Sequence, residues 1–376
     1  MKIGLIGLNH SGKTTLFELL SGKGAGSPAS DKKGANIGVG LVPDRRVDFL
    51  SALYKPKKTT YAKIEFTDVA GFSSSVSGGG GSGGSGDGAD IGSGVKSGAA
   101  RFLNDVRACD ALIHVLRAFE SESLIHDLGS IDPARDLEAV ETEMLFADLE
   151  MIERRIARFN AGKKISKDQT REIALLERCF KHLENAEAIH DMKLTEDEAL
   201  LIQSYSFLTE IPRLAVVNMD ERQWKSGAFP NHSELQALCV MLQIPLITLC
   251  VDMELEISRL QDEDKKLFME DLGIDQTGIA TLARAVYGLL GLISFLTVGE
   301  DEVRAWTIEE GASAKKAAGK IHSDIERGFI RAEVVKYESL KELGSMAKVK
   351  EKGLFRLEGK EYVVIDGDII NFRFNV

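Results

Sequence analysis

Apolar residues near the start of the chain come in short unbroken runs, each followed by sequence with helical spacing. Lys2–Gly7 reads as a strand, Thr14–Ser21 as a helix, Tyr61–Val69 as a strand, Ala99–Cys109 as a helix and Ala111–Leu116 as a further strand. The pattern resumes at Arg213–Asn218 and Pro245–Cys250, two apolar strands that each lead into helix-like sequence. Strands apolar on both faces and separated by helical crossovers predict an α/β domain with a parallel sheet covered on both sides. Between the two groups, Leu137, Val140, Met144, Ala147 and Met151 recur at heptad spacing among charges, over Asp136–Phe159. Asn160-Ala161-Gly162 reads as a turn, and a second helix carries Leu176, Phe180 and Leu183 on one face. The expectation is an inserted antiparallel helical hairpin, projecting as an arm. From residue 291 the pattern changes again. Alternation in Tyr362–Ile365 and Ile369–Phe374, a Gly367-Asp368 turn and a helix near Ser313–His322 predict a small α+β unit. The implied organisation is an α/β domain in two parts, 1–128 and 206–290, interrupted by an arm at 129–205 and followed by a C-terminal domain at 291–376.

Composition narrows this little. The chain has 376 residues, 44% hydrophobic, and a mean hydropathy of −0.08, as expected of a globular protein with more than one core. No stretch is long and apolar enough to span a membrane, and the early first strand leaves no room for a signal peptide. The four cysteines, Cys109, Cys179, Cys239 and Cys250, lack metal-ligand spacing and read as reduced thiols. Together these predict a cytoplasmic protein, expected to be a monomer. The net charge of −11 excludes a surface that coats nucleic acid globally, but not a local basic face. Arg154, Arg155, Arg158, Lys163, Lys164 and Lys167 gather at the arm tip, and Lys315, Lys316, Lys320, Lys348, Lys350 and Lys352 in the C-terminal unit. Each group reads as an RNA-facing groove or as a solvated helix face. The tract at 77–98, including Gly78–Gly86, has almost nothing to bury and is expected to be a flexible loop, whether natural or engineered.

The chemistry concentrates at the first strand's end. Gly7-x4-Gly12-Lys13-Thr14 is a complete phosphate-binding loop, in which backbone N–H groups over Asn9, His10, Ser11, Gly12 and Thr15 face a phosphate chain. Lys13 is expected on the terminal phosphates, and the Thr14 hydroxyl on Mg²⁺, over the start of a helix whose dipole adds to the attraction. Asp68-Val69-Ala70-Gly71 ends a later strand. There Asp68 is placed to hold the metal and Gly71 to approach the terminal phosphate. Phe72 stands where many GTPases carry a water-orienting Gln, and a phenyl ring cannot polarise water. Asn218-Met219-Asp220-Glu221 follows a buried strand in the place of the guanine-reading Asn-Lys-x-Asp. The longer Glu221, with Asp220 out of register, leaves the choice between ATP and GTP open. His114, inside an apolar strand, reads as a satisfied core histidine.

These residues resemble the Obg-like ATPase (YchF) family of translation-factor-class P-loop NTPases. The resemblance is carried by Asp68-Val69-Ala70-Gly71-Phe72, Asp110–Val115, Asn218–Glu221, Phe268–Gly273, Glu302–Thr307, Ile321–Glu333 and Asp366–Phe372. It implies a G domain with an inserted coiled-coil arm and a C-terminal TGS domain of ubiquitin-like β-grasp shape. It implies ATP binding with Mg²⁺, often preferred over GTP, through Asn218, Met219 and Glu221, and association with the ribosome. It also implies a hydrolytic histidine at the position of His126, and backbone contacts to the base from Cys250 and Val251. Met253 there could cover the base or sit in the core. The chain departs from the family in three places: Asn9-His10-Ser11 replaces Pro-Asn-Val in the P-loop; Asp31–Asn36, with Lys32 and Lys33, replaces the Thr-containing first switch; and the Gly/Ser tract replaces the second. All bear on hydrolysis more than on binding. The reading is a slow regulatory ATPase; its rivals are a nucleotide-sensing scaffold with little hydrolysis and a guanine-selective GTPase switch.

Overall fold

A computed structural model describes residues 1–22, 36–69, 102–162 and 166–375. Gly71, Phe72, Lys32, Lys33, Lys163, Lys164 and the Gly/Ser tract lie outside the described residues. The chain divides into two compact units, Met1–Gly38 with Glu65–Gly278, and Val39–Ile64 with Ile279–Val376.

The first unit is built on β1 (Lys2–Ile6), which runs into helix α1 (Lys13–Leu20). β2 (Asn36–Val42) carries the chain out into helix α2 (Arg45–Tyr54) and β3 (Lys58–Thr60) of the second unit, and β4 (Ala62–Asp68) brings it back. β5 (Ala111–Arg117), β6 (Arg213–Asn218) and β7 (Leu246–Leu249) complete a sheet in which β4, β1, β5, β6 and β7 lie side by side, all parallel. β5 and β6 are buried at every position, which is why they read as apolar runs without alternation.

The arm helix Pro133–Asn160 starts on an Asp132 cap with Pro133 in its first turn, residues well suited to begin a helix. Its heptad face divides in two along its length. Leu137, Val140 and Met144 pack on the sheet and on the helical turn before β5, against Leu116, Ala215, Leu112 and Val106. From about Leu145 onward the helix turns to the cluster it shares with Lys167–Glu184, where Ile152 meets Leu175, Leu176, Cys179 and Leu183. The first half is therefore part of the first unit's core. Two buried polar contacts fasten it there. Glu141 pairs with Arg213 at 2.6 Å. The Asp148 carboxylate accepts the N–H groups of Leu208 and Thr209 and the Thr209 hydroxyl at 2.8–3.0 Å.

In the second unit, β8 (Leu292–Thr297), β9 (Glu302–Glu309), β10 (Phe329–Lys336), β11 (Arg356–Glu358) and β12 (Asp368–Phe374) join β3 in a mixed sheet ordered β11–β10–β12–β8–β9–β3. β8 and β12 are parallel, and helix Ala314–Ile321, capped by Ser313, packs its alanines on Phe295, Ile308, Val334 and Ile370. This is the β-grasp arrangement the resemblance implies. Tyr362–Ile365 is not a strand, contrary to its alternation: only Val363 bridges, to Ser313, while the Ile365 N–H and the Tyr362 hydroxyl are taken by Asp368. Residues 39–64 belong here through the β3–β9 pairing and through Arg46, whose guanidinium spans Asp44 and Asp366. Asp366 in turn accepts the Ser294 N–H at 2.9 Å.

All four cysteines are free and buried. His114 is 1% exposed, but neither ring nitrogen has a hydrogen-bond partner, so it is a core histidine that is not satisfied. Burial, with the nearby charges of Lys13 and Arg213, pushes its pKa down to about 3. The unfolded chain therefore binds a proton here that the native state refuses, and stability falls as pH drops below the unfolded value of 6.5. Replacing His114 with Leu should remove about 2–3 kcal/mol of the loss between pH 7 and pH 4. Urea unfolding of both proteins across that range measures the difference; parallel pH profiles would contradict it.

Candidate nucleotide site

The loop between β1 and α1 is shaped by two glycines. Gly7 has φ +141° and a side chain there would lie 2.4 Å from the Val115 carbonyl oxygen; Gly12 has φ +94° and a side chain there would meet Asn218. Gly12 is also the N-cap of α1, and no side chain caps that helix. Its first N–H groups are therefore left for a ligand, and their partial positive charge favours an anion.

Lys13 sits in the loop, 7% exposed, with Nζ donating to the Leu8 carbonyl at 2.6 Å. Burial lowers its pKa, and the carboxylates of Asp68 and Asp127 work against that. The Thr14 hydroxyl donates to Asp68 at 3.0 Å. Burial raises the Asp68 pKa, opposed by that hydrogen bond and by Lys13. A hydroxyl beside a carboxylate at the end of a strand is a donor set suited to a hard divalent cation that takes its remaining oxygens from phosphate and water.

A cavity of about 470 Å³ opens over this loop, lined by His10, Gly12, Lys13, Thr14, Thr15, Phe119, Glu120, Ser121, Leu124, Asn218, Val251 and Asp252. Of the residues expected from sequence, His10, Gly12, Lys13, Thr14, Thr15, Asn218 and Val251 thus meet in one place, with Asp68 beside them. Others lie elsewhere. The Ser11 side chain is buried under the loop, Met219 belongs to the core around Phe229 and Leu235, and Cys250 and Met253 pack with Ile257. Glu221 is exposed at the start of helix Glu221–Ser226 and pairs with Lys225 at 2.6 Å. Asp220 caps that helix by accepting the Gln223 N–H. Asn218 acts as a brace: its amide donates to the Ser11 carbonyl at 3.1 Å and accepts the Val251 N–H at 3.2 Å, tying three loops together.

His126 does not line the cavity. It is 7% exposed; Nε2 bonds Asp136 at 2.8 Å, and Nδ1 accepts the Leu128 N–H at 3.2 Å. The wall formed by residues 119–124 was not legible in the sequence. It is ordered by Arg117, whose guanidinium donates to the carbonyls of Phe119 and Leu124 and lies 4.7 Å from the Phe119 ring centroid. An arginine ending an otherwise apolar strand was the signal for it.

Over its whole length the chain is similar to proteins called ribosome-binding ATPase YchF. It is 39% identical to that of Bacillus subtilis (strain 168) and covers 99% of both chains. It is 38% identical to that of Haemophilus ducreyi, over 100% of this chain and 99% of the other. The chain belongs to the YchF family. The YchF-GTPase_C family pattern, described as a protein of unknown function (DUF933), matches residues 292–375, the β-grasp part of the second unit. Among solved structures, the Schizosaccharomyces pombe YchF GTPase is similar with a TM-score of 0.82 at 29% identity, covering 99% of this chain and 97% of that one.

Because Asn218 braces three loops of this YchF-type site, Asn218→Ala should weaken ATP and GTP binding alike. It should also cost about 1–3 kcal/mol of stability by orphaning buried backbone groups. Calorimetric titration and thermal unfolding test both; a change in base preference without loss of affinity would assign Asn218 to base reading instead.

Proposed function

We propose that the chain binds ATP with Mg²⁺, GTP less well, hydrolyses it slowly to ADP and phosphate, and works in contact with the ribosome. The observation that carries this is the uncapped start of α1 with Lys13 and the Thr14–Asp68 pair converging on it. On nucleotide arrival Lys13 exchanges the Leu8 carbonyl for the terminal phosphates. The loop N–H groups would hold the phosphate chain, and Thr14 and Asp68 would hold Mg²⁺. That ion, when bound, neutralises charge developing on the phosphate oxygens.

The base lies against Phe119, Leu124 and Val251. Guanine selectivity needs a carboxylate facing the base. Glu221 and Asp220, the carboxylates that follow Asn218, are both engaged at the next helix. The cavity's own carboxylates are Glu120 and Asp252, and the adenine preference is proposed on the variant Asn218–Glu221 motif. Ribosome association rests on the names of the relatives and on basic residues of the arm and of helix Ala314–Ile321. Arg154 and Arg155 are partly committed to Glu150, Glu172 and Tyr205. The protein is proposed to act as a cytoplasmic monomer; no helix among the described residues is long and apolar enough to cross a membrane.

His126 is proposed as the hydrolytic residue, acting once its ring leaves Asp136. The engagement of both its ring nitrogens favours the second reading, a nucleotide sensor with little turnover. Single-turnover phosphate release from wild type and His126→Ala separates them, since the sensor releases none from either protein. Lys13→Ala should weaken nucleotide binding by about a hundredfold or more, the loss of a charged phosphate contact in a buried site. Titration with fluorescent ATP and GTP analogues in Mg²⁺ checks this, and unchanged affinity would remove the assignment. Tighter GTP than ATP binding in the wild type would show that Glu221 or Asp220 turns to read guanine.

A further inference from the structure

Residues 119–130 form a strap between β5 and the arm helix. Two consecutive side chains fasten it to two different partners. His126 is buried against Asp136 in the first turn of the arm helix. Asp127, exposed, turns to the phosphate-binding loop, where its carboxylate accepts a hydrogen bond from the Asn9 amide at 2.9 Å. Neither the nucleotide reading nor the hydrolytic role of His126 uses Asp127.

We propose that Asp127 makes the site discriminate a triphosphate from a diphosphate, by holding the strap to Asn9, next in the chain to Leu8, whose carbonyl the Lys13 ammonium occupies. The loop's N–H groups cradle the inner phosphates, and its lysine reaches the outer ones. Asp127 shares the field of that lysine with Asp68. A carboxylate and a phosphate competing for one cation repel each other. A γ-phosphate therefore displaces Asp127 and lifts the strap from Asn9, whereas a diphosphate leaves the contact in place. Lifting Asp127 also loosens its neighbour His126, whose Nδ1 and carbonyl otherwise hold the Leu128 and Gly129 N–H groups. The strap thus reports the outer phosphate to the first turn of the arm helix.

The proposal rests on the nucleotide-binding reading, and the test keeps the two apart. Full-length wild type, Asp127→Asn and Lys13→Ala are titrated in Mg²⁺ with a fluorescent non-hydrolysable ATP analogue and with fluorescent ADP. Asp127→Asn preserves size and can still accept from Asn9, but removes the charge. It should tighten the triphosphate about three- to tenfold and change the diphosphate less than about twofold, the scale of one charge removed near a solvated phosphate. Equal shifts for both ligands, no shift, or a weakened triphosphate would overturn the role of Asp127 while leaving wild-type binding and its loss in Lys13→Ala intact. Wild type that binds neither ligand would overturn the nucleotide reading, and this proposal with it. Hydrogen exchange on the wild type gives a readout free of mutation: the Leu128 and Gly129 amides should exchange faster with the ATP analogue than with ADP. Equal protection in both complexes would contradict a strap displaced by the outer phosphate.

Discussion

The nucleotide-binding unit depends on a helix that begins without a side-chain cap. The first N–H groups of α1 have no partner within the helix, and the chain provides none from Gly12. Everything around that start keeps it open and fixed. Gly7 lets β1 turn under Val115, Gly12 leaves room for the Asn218 amide, and Asn218 bonds the loop above it and the Val251 corner beside it. The parallel sheet matters to the site chiefly because it delivers these ends to one edge: β1, β4, β5 and β6 finish in adjacent positions at the carboxyl ends of the strands.

A second constraint comes from charge buried close to that opening. His114, in the middle of β5, feels the charges of both Lys13 and Arg213, and Glu141 is the partner of Arg213. Burial is the first cause of the lowered His114 pKa, and the two cations add to it. The carboxylates of Asp68 and Asp127 both act on Lys13, the first held by the Thr14 hydroxyl and the second by the Asn9 amide. An anionic ligand entering there meets one group that a metal ion would engage and another that only repels it.

Much of this was legible in sequence where the signal is local. The loop, the apolar strands and a small C-terminal α+β unit follow from spacing and from runs of residue type, the β-grasp shape of that unit came from the family resemblance, and the strand limits at Arg213–Asn218 agree to the residue. What escaped was set by tertiary partners. The heptad pattern at Leu137, Val140 and Met144 is the same whether a helix faces a partner helix or a sheet; only the sheet's neighbouring apolar side chains decide it. Glu221 is expected at the base from its position after Asn218; in the fold it opens a helix and pairs with Lys225 one turn on. Tyr362–Ile365 alternates like a strand, yet Asp368 captures its polar groups. The strap at 119–130 has no periodicity, so only Arg117 and the two carboxylates that hold it reveal its course.

The excursion of residues 39–64 has a consequence for how the molecule is made. Arg46 emerges from the ribosome early, yet its partner Asp366 lies 320 residues further along. At about 5–20 residues per second that partner follows roughly 15–60 s later. Until then Val47 and Leu50, both fully buried in the finished protein, have no completed surface to cover them. The same segment joins two pieces of the first unit, so that unit's sheet must close around a loop of chain whose own fold is still waiting. The last domain to be synthesised therefore completes a part of the structure begun near the first.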